Sequence, residues 1–218
     1  QMGIIILGLS IGSVLGLVAS SGFVNRFGAR RVMASCMLTM PIGLIIAGVG
    51  VTFGALFWLV FAGLAVLGFG MGMCDVAMNL SGAVNERLLG RTIMPVFHAF
   101  FSIGAMLGAA LGALAELAHV PLAVQTTVIG AVTLAAGVWG ALATRSENIL
   151  READGGAETA DSPDGWRSRL AVWKDPRTLL LGLIVLGMAF TEGSASDWLA
   201  LASVEGHGAD KPTGAVIF

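Results

Sequence analysis

Two carboxylates stand inside apolar runs long enough to cross a membrane. Asp75 lies in the stretch GFGMGMCDVAMNLSGAVNE, residues 68–86, and Glu192 lies midway along the run 179–202. An ionised acid at the centre of a span costs about 2.5–3.5 kcal/mol on insertion scales, so such residues turn to a cavity, a partner or water. A carboxyl in that setting is suited to taking up and releasing a proton or to holding a polar solute. Asn79 follows Asp75 by one helical turn, within reach of a solute hydroxyl or of Asp75 itself. Glu192 is followed by Asp197 and Trp198. That Trp reads either as an interfacial anchor or as a face on which a sugar ring could stack. His98 opens another apolar run, where it makes a structural hydrogen bond or lines the same path.

The stretch around Asp75 sets the frame for the rest. At helical spacing Gly68, Gly72, Asp75, Asn79, Gly82 and Glu86 fall on one face, and Phe69, Met71, Val76, Met78 and Leu80 cover the others. A small, polar and acidic stripe has no reason to face lipid. It is expected to line a path or to pack on a neighbouring helix. Composition agrees: 56% of the 218 residues are hydrophobic and 12% charged, with mean hydropathy +0.86. Soluble domains carry about 25% charged residues. The thirty-one glycines suit membrane-spanning helices. No basic tract with interleaved aromatics supports nucleic-acid binding. Cys36 and Cys74 lack metal-ligand spacing and read as two small buried apolar residues. No motif for a metal or a cofactor is present.

Spans are expected at about 2–23, 32–51 with Pro41 kinking the middle, 53–79 continuing helically towards Val84, 94–117, 122–143 and 179–202. The first carries Gly8, Gly12 and Gly16 and the fourth Gly104, Gly108 and Gly112, two doubled GxxxG stripes that let other helices approach closely. Neither ends in the Gly-Lys-Ser/Thr of a P-loop, so nothing points to ATP as a drive. Between 145 and 177 the composition turns acidic and rich in Gly, Ser and Pro, as in a solvated linker, with a short amphipathic helix expected at 166–173. The organisation is thus a helical half over 1–144, a linker over 145–177 and the start of a second helical half over 178–218. Gln1 stands directly before an apolar run and Phe218 falls where a new one begins, so the chain reads as a stretch of a longer protein.

Alternate connections carry Arg26, Arg30 and Arg31, then Arg87 and Arg91, then Arg145, Arg151, Arg167, Arg169, Lys174 and Arg177; that is eleven of the twelve Lys and Arg, with Lys211 opposite. The positive-inside rule places this side, and the linker, in the cytoplasm. Glu116 and His119 flank an outer turn and are expected to be solvated.

Antiparallel spans, a long cytoplasmic linker and one further span resemble spans two to seven of a twelve-helix major facilitator superfamily transporter. That family's motif between its second and third helices, Gly-x-Leu-Ala-Asp-Arg-x-Gly-Arg-Arg, is matched at Arg26, Gly28 and Arg30, with Arg31 following. Ser21, Asn25 and Ala29 stand where the family has its leading Gly, its Asp and the first of the paired Arg. The segments Asp75-Val76-Ala77-Met78-Asn79 and 96–104, together with Glu192 and Asp197-Trp198, resemble the fucose-permease-like branch.

The resemblance implies an all-α, polytopic membrane helix bundle of the major facilitator type, incomplete at about six spans. It implies a multi-pass protein of the bacterial inner (plasma) membrane whose helices two and five, here bearing the glycine stripes, face the opposite half and rock against it. A gating role would fall to Arg26, Gly28, Arg30 and Arg31. The function implied is secondary transport of a small polar solute such as a sugar, coupled to protons, with a drug or metabolite efflux antiporter as the alternative. Two other classes were weighed. An intramembrane aspartyl protease would use Asp75 and Asp197, but Cys74 stands where a Gly is needed and the chain has no tyrosine. A receptor or scaffold on the same fold would bind a solute without moving it. The protein is read as a non-enzyme whose partners are a small solute, protons and lipid.

Overall fold

The computed structural model describes residues 2–54, 56–143, 174–208, 210 and 213. They form six helices, α1 (Met2–Phe27), α2 (Ala29–Thr52), α3 (Phe57–Leu89), α4 (Met94–Leu117), α5 (Leu122–Ala143) and α6 (Pro176–His207), and no strand among the described residues. All six are long and apolar enough to cross a membrane. Most of the linker expected at 145–177, with its short helix at 166–173, lies outside the described residues, as do Lys211 and the side chain of Asp197.

α4 and α5 keep the limits expected from hydropathy, and the other four helices run further. α1 continues through Arg26 to Phe27 and α2 begins at Ala29, so Gly28 is the whole connection. α2 runs unbroken through Pro41. α3 reaches Leu89, where Gly90 takes the left-handed conformation that ends helices (φ 62°). α6 begins at Pro176, its first N–H groups met by the Asp175 side chain, which accepts from Arg177 N at 3.0 Å.

α1, α2, α3, α5 and the start of α4 up to Ala99 form one packing unit; α4 from Phe100 onward and α6 belong to a second. In the first, α3 packs on α1 and on α2, and α2 packs on α5. Glycine makes each of these seams. A Cβ added at Gly8, Gly12 or Gly16 of α1 would collide with the α3 backbone at Phe61, Ala65 and Phe69. From the other side, Gly68 and Gly72 of α3 abut Leu9 and Ser13. The α2–α3 seam repeats the device with Gly43 against Gly63 and Leu67, and Gly70 against Thr39 and Met40. α5 lies on α2 with Thr126 over Gly48 and Met37 over Gly137. A polar tie crosses there: Ala123 N donates to Thr52 Oγ1 at 3.0 Å.

The stripe Gly8, Gly12 and Gly16 is therefore taken up by α3 within its own unit, which corrects the expectation that it faces an opposite half. The reason is reciprocal spacing, since glycines on both helices let their backbones meet. In the second unit a Cβ at Gly104 or Gly108 would meet nothing within 4 Å.

The buried cluster consists of Val24, Ala29, Val32, Cys36, Met73 and Ala77, where α1, α2 and α3 converge. Leu, Ile, Phe and Trp point outward instead, among them Trp58, Phe100, Trp139 and Phe190. Lipid is as apolar as leucine, so large side chains gain nothing by turning inward, and small ones set the interior.

Glu86 fixes the turn from α3 to α4. Its Oε1 accepts from Ile93 N at 2.7 Å and Met94 N at 2.9 Å, capping α4 from the preceding helix.

Two stability measurements on the purified protein test this packing. Gly12→Ala should lower the unfolding midpoint, at an overpacking cost of about 1–3 kcal/mol; Gly22→Ala, in the same helix with open space around it, should be neutral or slightly stabilising. Glu86→Ala should cost about 1–2 kcal/mol, the scale of a lost helix cap. Glu86→Gln retains an acceptor and should cost less.

Candidate functional site

The stripe on α3 divides among three tasks. Gly68 and Gly72 are buried against α1, Gly82 is buried against Met94 and Phe97, and Glu86 holds the start of α4. The sequence places all six residues on one face, to line a path or to pack on a neighbouring helix. The structure leaves only Asp75 and Asn79 for chemistry, because neighbours meet the stripe at different heights along α3: α1 at Gly68 and Gly72, and the start of α4 at Gly82 and Glu86.

Asp75 is exposed and Asn79 half-buried on α3. Asn79 Nδ2 donates to Asp75 Oδ1 at 3.1 Å. That bond orients the carboxylate and does not use Oδ2 or the amide oxygen of Asn79. An ionised carboxylate offers only acceptors, and an amide offers both a donor and an acceptor. Together they can exchange a proton and hold a hydroxyl-bearing molecule. Behind them Met73 and Ala77 are buried in the cluster, so the helix face carrying the pair is fixed from the rear.

The basic turn is built on Gly28. Its backbone, at φ 82° and ψ 151°, lies in a region essentially confined to glycine. This allows α1 and α2 to reverse direction over one residue. Arg26 is exposed and lies over the Phe27 ring, 5.3 Å from its centroid. Arg30 is half-buried on α2, at the edge of a hollow of about 360 Å³ between α2 and α5 lined also by Met33, Met37 and Gly137. Arg31 is exposed.

His98 is exposed near the start of α4. Glu192 and Trp198 are exposed on α6, and 3.6 residues per turn sets them on different faces of that helix. The hollow beside Glu192 is bordered by Leu183, Ile184, Gly187, Met188 and Thr191, all from α6. The structure thus brings Asp75 to Asn79, and gathers Arg26, Gly28, Arg30 and Arg31 at one turn. Glu192 and Trp198 stand in the second unit, with the backbone of Asp197 beside them. Sequence reading missed that Cys36 and Cys74 come into one packed cluster between α2 and α3. Their burial was legible, but the rotation of α2 against α3 that joins them was not.

Three comparisons with known proteins follow from this geometry. The family model of the Major Facilitator Superfamily matches residues 1–218. The chain is 30% identical over 205 residues to an uncharacterised MFS-type transporter of Yersinia pestis, a match covering 92% of this chain and 48% of that protein. It is 29% identical over 203 residues to an uncharacterised transporter of Sinorhizobium fredii, covering 92% of this chain and 49% of that one. The chain spans about half the length of the curated relatives it matches. No solved structure matches it.

Proposed function

The chain belongs to the Major Facilitator Superfamily, and from that membership we propose that it forms part of a secondary transporter moving a small polar solute of the sugar class together with protons. One observation carries the reading: within an otherwise apolar span, Asp75 and Asn79 are hydrogen-bonded to each other, with Asp75 exposed. Asp75 is the proton carrier, and Asn79 orients it and binds solute hydroxyls. Protonation removes the charge that is costly within a span, so the loaded site can pass from one side of the membrane to the other. Glu192, midway along α6, serves as a second solute or coupling residue, with Asp197 and Trp198 contributing nearer the outer surface and His98 nearer the inner one.

The turn of Arg26, Gly28, Arg30 and Arg31 acts at the gate on the cytoplasmic side. The protein is a multi-pass component of a bacterial inner membrane with its linker, 145–177, in the cytoplasm; eleven of the twelve basic residues on that side support this orientation. The chain divides functionally at this linker, into a helical half over 1–144 and the start of another over 178–218. Within the family, the two polar pairs on α3 and α6 suit the fucose-permease-like branch.

The test reconstitutes the protein in proteoliposomes and follows internal pH as sugars are added outside. A sugar-dependent proton influx that Asp75→Asn abolishes, and that Glu192→Gln reduces, is the expected result. Unchanged uptake and unchanged proton influx in Asp75→Asn would remove Asp75 from the mechanism. Proton movement on adding amphipathic drugs, with no response to sugars, would replace this reading by proton-driven efflux.

A further inference from the structure

The chain's two cysteines meet across the seam between α2 and α3. Cys36, in the second turn of α2, is 1% exposed, and Cys74, midway along α3, is half-buried. Both are free thiols, and the antiparallel seam that sets Gly43 against Leu67 and Gly70 against Thr39 and Met40 brings the next turn of each helix, at Cys36 and Cys74, together in the packed cluster. More sulfur surrounds them: Met73 is buried in the same cluster as Cys36, and Met33 packs against that cluster alongside Cys74. Two thiols and two thioethers from neighbouring helices thus occupy one packed region, held together by the glycine seam.

This donor set is selective. Among the described residues no group of three or more His, Cys, Asp and Glu gathers anywhere, so the four-ligand tetrahedral set that zinc requires is lacking. Calcium and magnesium require oxygen ligands. Thiolate and thioether sulfurs are the ligands that select copper(I) and similar soft ions. Charge points the same way. A monovalent ion M⁺ that displaces one thiol proton forms an S–M bond, breaks an S–H bond and releases H⁺, so the site stays neutral. The second thiol and a thioether can then act as neutral donors. A divalent ion would need both thiols ionised, or would leave a net charge among apolar helices, which is costly.

We propose that Cys36 and Cys74, with Met73 as a weaker outer ligand, form a binding site for a soft monovalent metal ion of the copper(I) and silver(I) class, bridging α2 and α3. The site is distinct from the Asp75–Asn79 pair and does not depend on which solute is moved. Sequence spacing argued against a metal site because the ligands are distant in the chain; they are neighbours only because α2 and α3 pack backbone to backbone.

The test titrates the reduced protein in detergent into the coloured copper(I)–bicinchoninate complex and reads copper withdrawn from the dye. The expected result is one equivalent taken by the natural protein and none by Cys36→Ser or Cys74→Ser, with Met73→Leu binding about tenfold more weakly. X-ray absorption at the copper edge should then show sulfur neighbours alone. No withdrawal by the natural protein, a full equivalent retained by either serine variant, or nitrogen or oxygen neighbours at the metal would each overturn the proposal. A measurement free of variants stands beside it. One equivalent of silver(I) should protect both thiols from maleimide together; labelling of both thiols at the rate seen without silver would overturn the site.

Discussion

The backbone of α3 lies in contact with two other helices at once, and the rest of the first packing unit follows from that. Gly68 and Gly72 admit α1, and Gly63 and Gly70 admit α2. Close approach replaces the hydrophobic effect here, because lipid gives apolar side chains no reason to leave it. Dispersion between tightly fitted backbones falls off steeply with separation, so a single methyl group at these positions is felt along the whole seam. Asp75 and Asn79 stand between the height at which α1 meets Gly68 and Gly72 and the height at which the start of α4 meets Gly82 and Glu86. The scaffold and the polar pair are two aspects of one distribution of residues around a helix.

The same seam explains why polar groups are few but well placed. Ser20, Ser35, Thr39 and Thr133 each donate to a carbonyl of their own helix, three or four residues back. This satisfies the hydroxyl without asking a neighbour for a partner. Thr52 does both: it donates to Gly48 O at 2.9 Å and accepts from Ala123 N. Glu86 also ties one helix to another, joining consecutive helices through backbone donors that α4 could not satisfy internally.

Much of the fold was legible because hydropathy and helix length are linked by membrane thickness. α4 and α5 begin and end where apolar character does. α1, α2 and α3 overran their apolar limits because Asn25, Arg26, Arg30, Arg31, Asn85, Glu86 and Arg87 are compatible with helix even where they leave the membrane. Hydropathy reports where lipid ends, and the backbone stops only where Gly28 or Gly90 turns it. The candidate site was partly legible. Asp75 and Asn79 could be paired from spacing alone, since one turn separates them. Which glycine would meet which helix could not be read, because a GxxxG stripe specifies close approach without naming the partner. For the same reason the stripe of α1 was assigned to the wrong neighbour, and the meeting of Cys36 with Cys74 went unseen.

The connection at Gly28 carries a consequence for how this chain tolerates changes in length. Most helix connections hold several residues, and an added one is absorbed as slack. Here one peptide unit separates α1 from α2, and both helices are seated on α3 by glycines at fixed heights. Deleting Gly28 would favour a single continuous rod, with α2 directed away from the helix it should cover. The phase of two interlocking seams is therefore stored in one residue without a side chain, and at that turn the length of the chain matters as much as the identity of its residue.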